Sequence, residues 1–177
     1  NGEKKGQIAA KGVYNNRIST IFFNLLQEQG IPTHFVKALS DREQLVKHVT
    51  IIPIEVVVRN VAAGSLAKRL GFEEGKALGK PIVELYYKDD ALGDPFINDE
   101  HVAVLNLATP KHLDEMKQMA RKINELLSDY LLEKGLLLVD FKLEFGIDAA
   151  GKLLLADEIS PDTCRLWDVE TQRKLDK

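Results

Sequence analysis

Leu136-Leu-Leu-Val-Asp140-Phe-Lys142-Leu-Glu144-Phe-Gly146-Ile147 runs through Asp148-Ala-Ala-Gly151 into Lys152-Leu-Leu-Leu-Ala-Asp157-Glu-Ile159. Two apolar-rich runs joined by a short Asp-to-Gly segment are a hairpin signal. Side chains alternate between the faces of a strand. Asp140, Lys142 and Glu144 therefore share one face, and Phe141, Leu143 and Phe145 the other. A four-residue loop at 148–151 predicts Lys142 opposite Asp157 and Glu144 opposite Leu155. Glu144 and Asp157 then become diagonal neighbours, roughly 7 Å or less apart at their side-chain bases. Two carboxylates so placed can share a hard cation such as Mg²⁺, which prefers oxygen ligands and keeps several waters. A lysine between them suits a site that handles phosphate charge. An exposed sheet face carrying charged pairs explains the alternation equally well. The apolar start at residues 136–139 favours burial, and buried charges need partners or a metal.

Working outward, residues 110–134 carry the clearest helix. Thr109 suits the N-cap, Pro110 the first turn and Gly135 the stop, while Leu113, Met116, Ala120, Ile123, Leu127 and Tyr130 form an apolar stripe. Residues 12–29 predict a second helix, with Ile18, Ile21, Phe22, Leu25 and Leu26 at helical spacing before Gly30 and Pro32. Residues 33–39 and 43–47 read as short strands. Residues 51–60 read as a buried strand, with Pro53 marking an edge or a strand beginning. Residues 65–70 predict a short helix ended by Gly71. Residues 72–108, with Gly75, Gly79, Pro81, Gly93 and Pro95, read as a long irregular segment of the functional kind. Strands and helices without regular βαβ alternation indicate an α+β fold.

Three further clusters carry possible chemistry. In Arg59-Asn-Val-Ala-Ala-Gly-Ser65, an arginine leaves a buried strand and Gly-Ser opens a helix. The guanidinium matches phosphate or carboxylate, and the serine can cap and donate. Taken alone, Ser65 as a plain N-cap and Arg59 as a surface residue is the better reading. In Asp157-Glu-Ile-Ser-Pro-Asp162-Thr-Cys-Arg165-Leu-Trp167-Asp168, the chain turns after its strand and carries Arg165 beyond the strand end. The bland version is a structural turn anchored by Trp167. Lys88-Asp-Asp-Ala-Leu-Gly-Asp94-Pro95 reads by itself as a solvated turn. His34, His48, His101 and His112 have no metal-ligand spacing, and no Walker-type loop, G-x-S-x-G or G-x-G-x-x-G occurs.

Composition sets the outer limits. The chain has 177 residues, 24 basic and 27 acidic, for a formal charge of −3. Apolar residues make up 45%, enough for a core and too many for global disorder. Near-balanced charge argues against a general nucleic-acid binder. No apolar run approaches the roughly 20 residues of a membrane helix. The lone Cys164 cannot form an internal disulfide, so nothing points to secretion and a cytoplasmic location is expected.

Together the clusters carry a family likeness. Residues 52–65 resemble the first signature of the SAICAR synthetase (phosphoribosylaminoimidazole-succinocarboxamide synthase) family. Residues 138–146 resemble its second, and Asp157 to Asp162 with Arg165 to Asp168 a third shared stretch. Gly30 to His34, Lys88-Asp-Asp and Asp94-Pro95 resemble further family pieces. The resemblance implies a two-lobe fold related to kinase and ATP-grasp-type ATP-binding folds. Residues 1–50 would be the remainder of the N-terminal ATP-side lobe, and residues 51–177 the larger α/β lobe with substrate and metal sites. The family's N-terminal β lobe, with its Gly-Lys-rich phosphate cover, would be largely outside this chain. The implied activity is an ATP-dependent carbon–nitrogen ligase of purine synthesis. It would join carboxyaminoimidazole ribonucleotide (CAIR) to L-aspartate, giving SAICAR, ADP and phosphate through an acyl phosphate. ATP and Mg²⁺ would be its cofactors and a homodimer or larger assembly its form. Under the same likeness, Glu144 and Asp157 face the metal and the nucleotide. Lys142 contacts nucleotide phosphate or the forming acyl phosphate, making Lys142 and Asp157 catalytic. Arg59, Ser65 and Arg165 bind CAIR through its ribose phosphate. Asp94 and Lys88 lie near CAIR or aspartate, and Asp140 on the aspartate side or behind it. The stretch from Val49 to Ile52, with Ile51, meets adenine through its backbone. A fragment that binds the nucleotide without catalysis and a small-molecule kinase of related fold are the competing functions.

Overall fold

The computed structural model describes residues 8–175. Helix α1 (Lys11–Glu28) leads to an antiparallel pair, β1 (Phe35–Ala38) and β2 (Gln44–Val46). Strand β3 (Thr50–Val61), helix α2 (Gly64–Leu70) and strand β4 (Ala77–Tyr87) follow. A 3₁₀ turn (Asp90–Leu92), β5 (Phe96–Ile97) and α3 (Asp99–Val104) precede the long helix α4 (Pro110–Leu132). Strands β6 (Leu136–Ile147), β7 (Leu153–Ala156) and β8 (Cys164–Asp168) complete the order. The main sheet runs β5-β4-β3-β6-β7, all antiparallel, and β8 also pairs with β6. Since β3 occupies one edge of β6, β7 and β8 divide the other, against residues 144–147 and 136–141 respectively.

The α+β reading holds, and α4 forms as its caps dictate. Thr109 Oγ1 accepts the His112 N–H at 3.1 Å, Pro110 occupies the first turn, and Gly135 adopts φ 74°. Its stripe of Leu113, Met116, Ala120, Ile123 and Leu127 packs in one core with Val56, Val58, Leu85, Phe141 and Leu143. Phe22, Phe23 and Leu26 of α1 join that core. Each such Leu, Ile, Val, Met or Phe side chain contributes about 1.5–3 kcal/mol on burial.

Four elements arise where turns and loops were expected. β4, β5 and α3 lie inside residues 72–108, and β8 follows the Ser-Pro-Asp turn. The first half of β4 is half-buried or exposed and contains Gly79 and Pro81, so no alternation marks it. Its partner β3 supplies the ladder that its own sequence does not announce. Pro53 stands neither on an edge nor at a strand start, because β3 is central. It sits where the β3–β6 register shifts between Ile52 and Val56, a bulge that needs no N–H from it.

The hairpin register is one residue away from the expected one. Asp148 N–H donates to Lys152 O at 3.0 Å, and Asp148 Oδ1 accepts the N–H groups of Ala150 and Lys152 at 2.9 Å. The connection is therefore 148–152, and Glu144 pairs with Ala156, Phe145 with Leu155. Lys142 does not face Asp157; its N–H donates to Thr163 O at 2.9 Å. Asp157 falls just past β7 with φ 54°, a left-handed turn residue.

Cross-strand partners share a face. Register places Val57 beside Glu84 and Lys142, Glu55 beside Tyr86, and Arg59 beside Asp140. Charged groups thus collect on the face opposite α4. Gly146 permits the close start of β3, since a Cβ there would lie 2.6 Å from Val49 Cγ2.

Candidate active site

The charged face has two poles. At the first, Arg59 of β3 is 5% exposed and donates in several directions. Its Nε reaches Glu84 Oε2 at 2.6 Å, Nη1 reaches Asp140 Oδ2 at 2.8 Å, and Nη2 reaches Ser65 Oγ at 2.9 Å and Tyr86 OH at 3.2 Å. Arg69, one turn beyond Ser65 on α2, pairs with Glu84 and donates from Nη1 to Tyr86 OH at 3.1 Å. Tyr86 OH donates in turn to Glu84 Oε2 at 3.0 Å. Arg165 of β8 donates to Asp140 Oδ2 at 2.5 Å. The result is an alternating series Arg69–Glu84–Arg59–Asp140–Arg165, with both carboxylates and the central arginine buried. Burial opposes the Arg59 charge, but Glu84, Tyr86 and Asp140 outweigh it and hold Arg59 above its ordinary pKa. Gly64 gives Arg165 its room: a Cβ there would lie 2.9 Å from an Arg165 nitrogen, and its φ of 53° is left-handed.

Three guanidiniums and two carboxylates meet at this pole, with Glu74 an electrostatic neighbour of Arg165. A preorganised cluster of planar donors is suited to a phosphate or carboxylate. Sequence reading brought Arg59, Ser65, Asp140 and Arg165 here, but not Arg69, Glu84 or Tyr86. Glu84 and Tyr86 alternate within residues 83–86, and Arg69 follows Ser65 by one helical turn, so the signals existed. Ser65 is not the N-cap: that position is Ala63, without a side-chain bond. Arg165 does not hang beyond a strand but is held in β8 opposite Asp140.

The second pole gathers carboxylates and lysines. Lys88, just after β4, pairs with Glu144 of β6. Lys142 Nζ donates to both oxygens of Glu55, at 2.7 and 3.0 Å. Burial pushes the Glu144 carboxyl above its ordinary pKa; Lys88 pulls it down, while Asp157 and Glu55 add repulsion. The bond to Glu144 holds Lys88 above its ordinary value. Glu144 and Asp157 therefore remain electrostatic neighbours, although the lysine beside Glu144 is Lys88 rather than Lys142. Glu55 was not singled out from sequence; it lies four residues before Arg59 on the same strand face.

The remaining predicted residues are local. Asp94, at φ 49°, accepts the Asp89 N–H at 2.9 Å within its own turn. Ile51 is 40% exposed and, with Ile52, Pro53, Leu107 and Ile147, lines an open cleft of about 700 Å³. Burial pushes the Cys164 thiol up to about 12, so it is a core residue rather than a nucleophile. Among the described residues, no helix is long and apolar enough to cross a membrane.

Known proteins share this arrangement of strands and helices. The sequence profile described as SAICAR synthetase matches residues 1–177. A phosphoribosylaminoimidazole-succinocarboxamide synthase from Listeria innocua is 60% identical over all 177 residues, which cover 75% of that protein. The solved structure "SAICAR synthetase (Type-2) in complex with ADP" superposes with a TM-score of 0.96 at 53% identity, over 99% of this chain and 75% of its own. SAICAR synthetase from Pyrococcus horikoshii OT3 gives 0.95 at 52% identity, over 99% and 77%. Matched along its entire length and spanning about three quarters of these relatives, the chain belongs to the SAICAR synthetase family, ligases of purine biosynthesis.

Proposed function

We propose that the chain carries the CAIR and metal-nucleotide sites of an ATP-dependent ligase that joins CAIR to L-aspartate. The carrying observation is the pair of poles on one sheet face, three guanidiniums at one and carboxylates with two lysines at the other. Asp140 and Glu144 stand four residues apart on β6, roughly 13 Å along a strand. That span suits a nucleotide monophosphate with its phosphate on Arg59, Ser65 and Arg165 and its base toward Lys88 and Glu144. Asp140 orients the guanidiniums, and Asp94 would lie near CAIR or aspartate.

The second pole fits a magnesium ion. Its donors are carboxylate oxygens, the ligand type of a hard cation, and a cation there would offset both the burial that raises Glu144 and the repulsion that Asp157 and Glu55 add. Among the described residues no group of three or more His, Cys, Asp or Glu could hold a metal. Glu144 and Asp157 would therefore hold Mg²⁺ together with nucleotide phosphates and water. Bound there, the ion neutralises phosphate charge during transfer. Lys142 and Lys88 add positive charge beside it. The ADP named with one solved relative supports nucleotide use. The backbone of residues 49–52, beside the Ile51 cleft, would take the adenine. Residues 1–50 would form the ATP side and residues 51–177 the substrate side, within a homo-oligomer acting in the cytoplasm.

The reaction runs in two displacements. A carboxylate oxygen of CAIR attacks the γ-phosphorus of ATP, the bond to the bridging oxygen breaks, and ADP leaves. The aspartate amine attacks the resulting acyl carbon, inorganic phosphate leaves, and the amine releases a proton. A coupled ADP-release assay tests this: release requiring both CAIR and aspartate is expected. Release with CAIR alone, indifferent to aspartate, would overturn the ligase reading.

A further inference from the structure

The two ends of the alternating series differ from its middle. Arg59 is spent inside the protein: four hydrogen bonds tie its guanidinium to Glu84, Asp140, Ser65 and Tyr86. Its side chain is 6% exposed, whereas that of Arg69 is 33% exposed. A guanidinium has five N–H donors. The bonds from Arg69 engage Glu84 and Tyr86, so most of its donors stay available.

Arg69 is nonetheless held still. Glu84 and Tyr86 fix one edge of its guanidinium, and its Cζ lies 4.7 Å from the centroid of the Phe96 ring. Phe96 is itself braced edge-on by Tyr86 at 5.7 Å. Stacking on a ring covers the plane of a guanidinium and leaves its edges free for an oxyanion. Ser65 and Arg69 are four residues apart on α2, so both project toward the same pole. A mere clamp for Glu84 would need neither the stacking nor the exposure.

We infer that Arg69 is a further phosphate-binding residue of the first pole, gripping the 5′-phosphate of the nucleotide substrate beside Arg165. This rests on the reading of that pole as the CAIR phosphate site. Arg59 then backs the phosphate site from within and aligns the guanidiniums that share it.

Titration calorimetry of the protein with CAIR and with its phosphate-free riboside separates the possibilities, with melting curves to check folding. Arg69→Ala is expected to weaken CAIR roughly 10- to 100-fold, as loss of charged hydrogen bonds does. Riboside binding should change by less than about twofold, and Arg69→Lys should recover part of the loss because it restores charge without the fork. Equal weakening of CAIR and riboside would overturn the inference and leave Arg69 a structural clamp. So would unchanged CAIR binding in Arg69→Ala alongside weakened binding in Arg165→Ala. Unchanged CAIR binding in both variants would instead remove the phosphate-site reading itself, and the inference with it. A raised aspartate KM with CAIR binding intact would reassign Arg69 to the second substrate.

Discussion

The two poles of the open sheet face treat charge in opposite ways. At the arginine pole both carboxylates are buried and bonded, and each bridges two guanidiniums. At the lysine pole three carboxylates meet two lysines that are about half exposed, and one carboxyl is forced above its ordinary pKa. One end is a closed series of buried carboxylates between guanidiniums; the other pairs its carboxylates with half-exposed lysines. Under the proposed function, that contrast would give anion binding to one and metal-nucleotide chemistry to the other, on the same six-stranded sheet.

The contrast breaks most visibly in turnover. Glu144→Ala and Asp157→Ala should each lower the Mg²⁺-dependent rate at least about 100-fold, the scale of losing a group that stabilises transition-state charge. Both should keep the far-ultraviolet circular dichroism of the parent. Wild-type-like turnover in either would withdraw the metal assignment.

Stability sharpens the contrast next. Glu84→Ala strips a buried carboxylate from two guanidiniums and should cost about 3 kcal/mol in urea unfolding. Lys142→Ala removes a half-exposed partner of Glu55 and should cost under about 1 kcal/mol. Equal losses would mean that the poles do not differ in how tightly they are built.

The smallest effect is a pH slope behind the second pole. His34 is 7% exposed and its Nε2 has no hydrogen-bond partner. Burial lowers its pKa below 6.5, against opposing contributions from the backbone and charge of Asp157. The unfolded chain therefore takes up the proton first, so the stabilising contribution is full above pH 6.5 and is lost as pH falls through the folded-state value. His34→Gln should flatten the dependence of the melting temperature on pH below 6.5. An unchanged slope would assign that dependence to other groups.

Much of this could be read from the residues. The capped helix α4, the apolar run of β3 and the β6 hairpin carry strong local signals, and together they define the core. The strands that were missed owe their pairing to neighbours: half-exposed β4 carries Gly79 and Pro81, and β8 is five residues after a turn. The site followed the same division. Arg59, Asp140, Glu144 and Asp157 stand in recognisable stretches, so their region was legible. Their partners were not, because Glu84, Tyr86 and Glu55 meet them only through cross-strand register. One loop residue more than expected, in the 148–152 connection, took Asp157 away from its place opposite Lys142, and Lys88, arriving from the end of β4, is the lysine that pairs with Glu144.

The series Arg69–Glu84–Arg59–Asp140–Arg165 also limits how this sequence can drift. Its members come from α2, β4, β3, β6 and β8, and a change at buried Glu84, Arg59 or Asp140 leaves a neighbour's charge stranded in the interior. Substitutions at those three should be tolerated only in compensating pairs, so the three would vary together or hardly at all. Lineages could thus reshape the surrounding loops freely while this row of charges moves as one inherited unit.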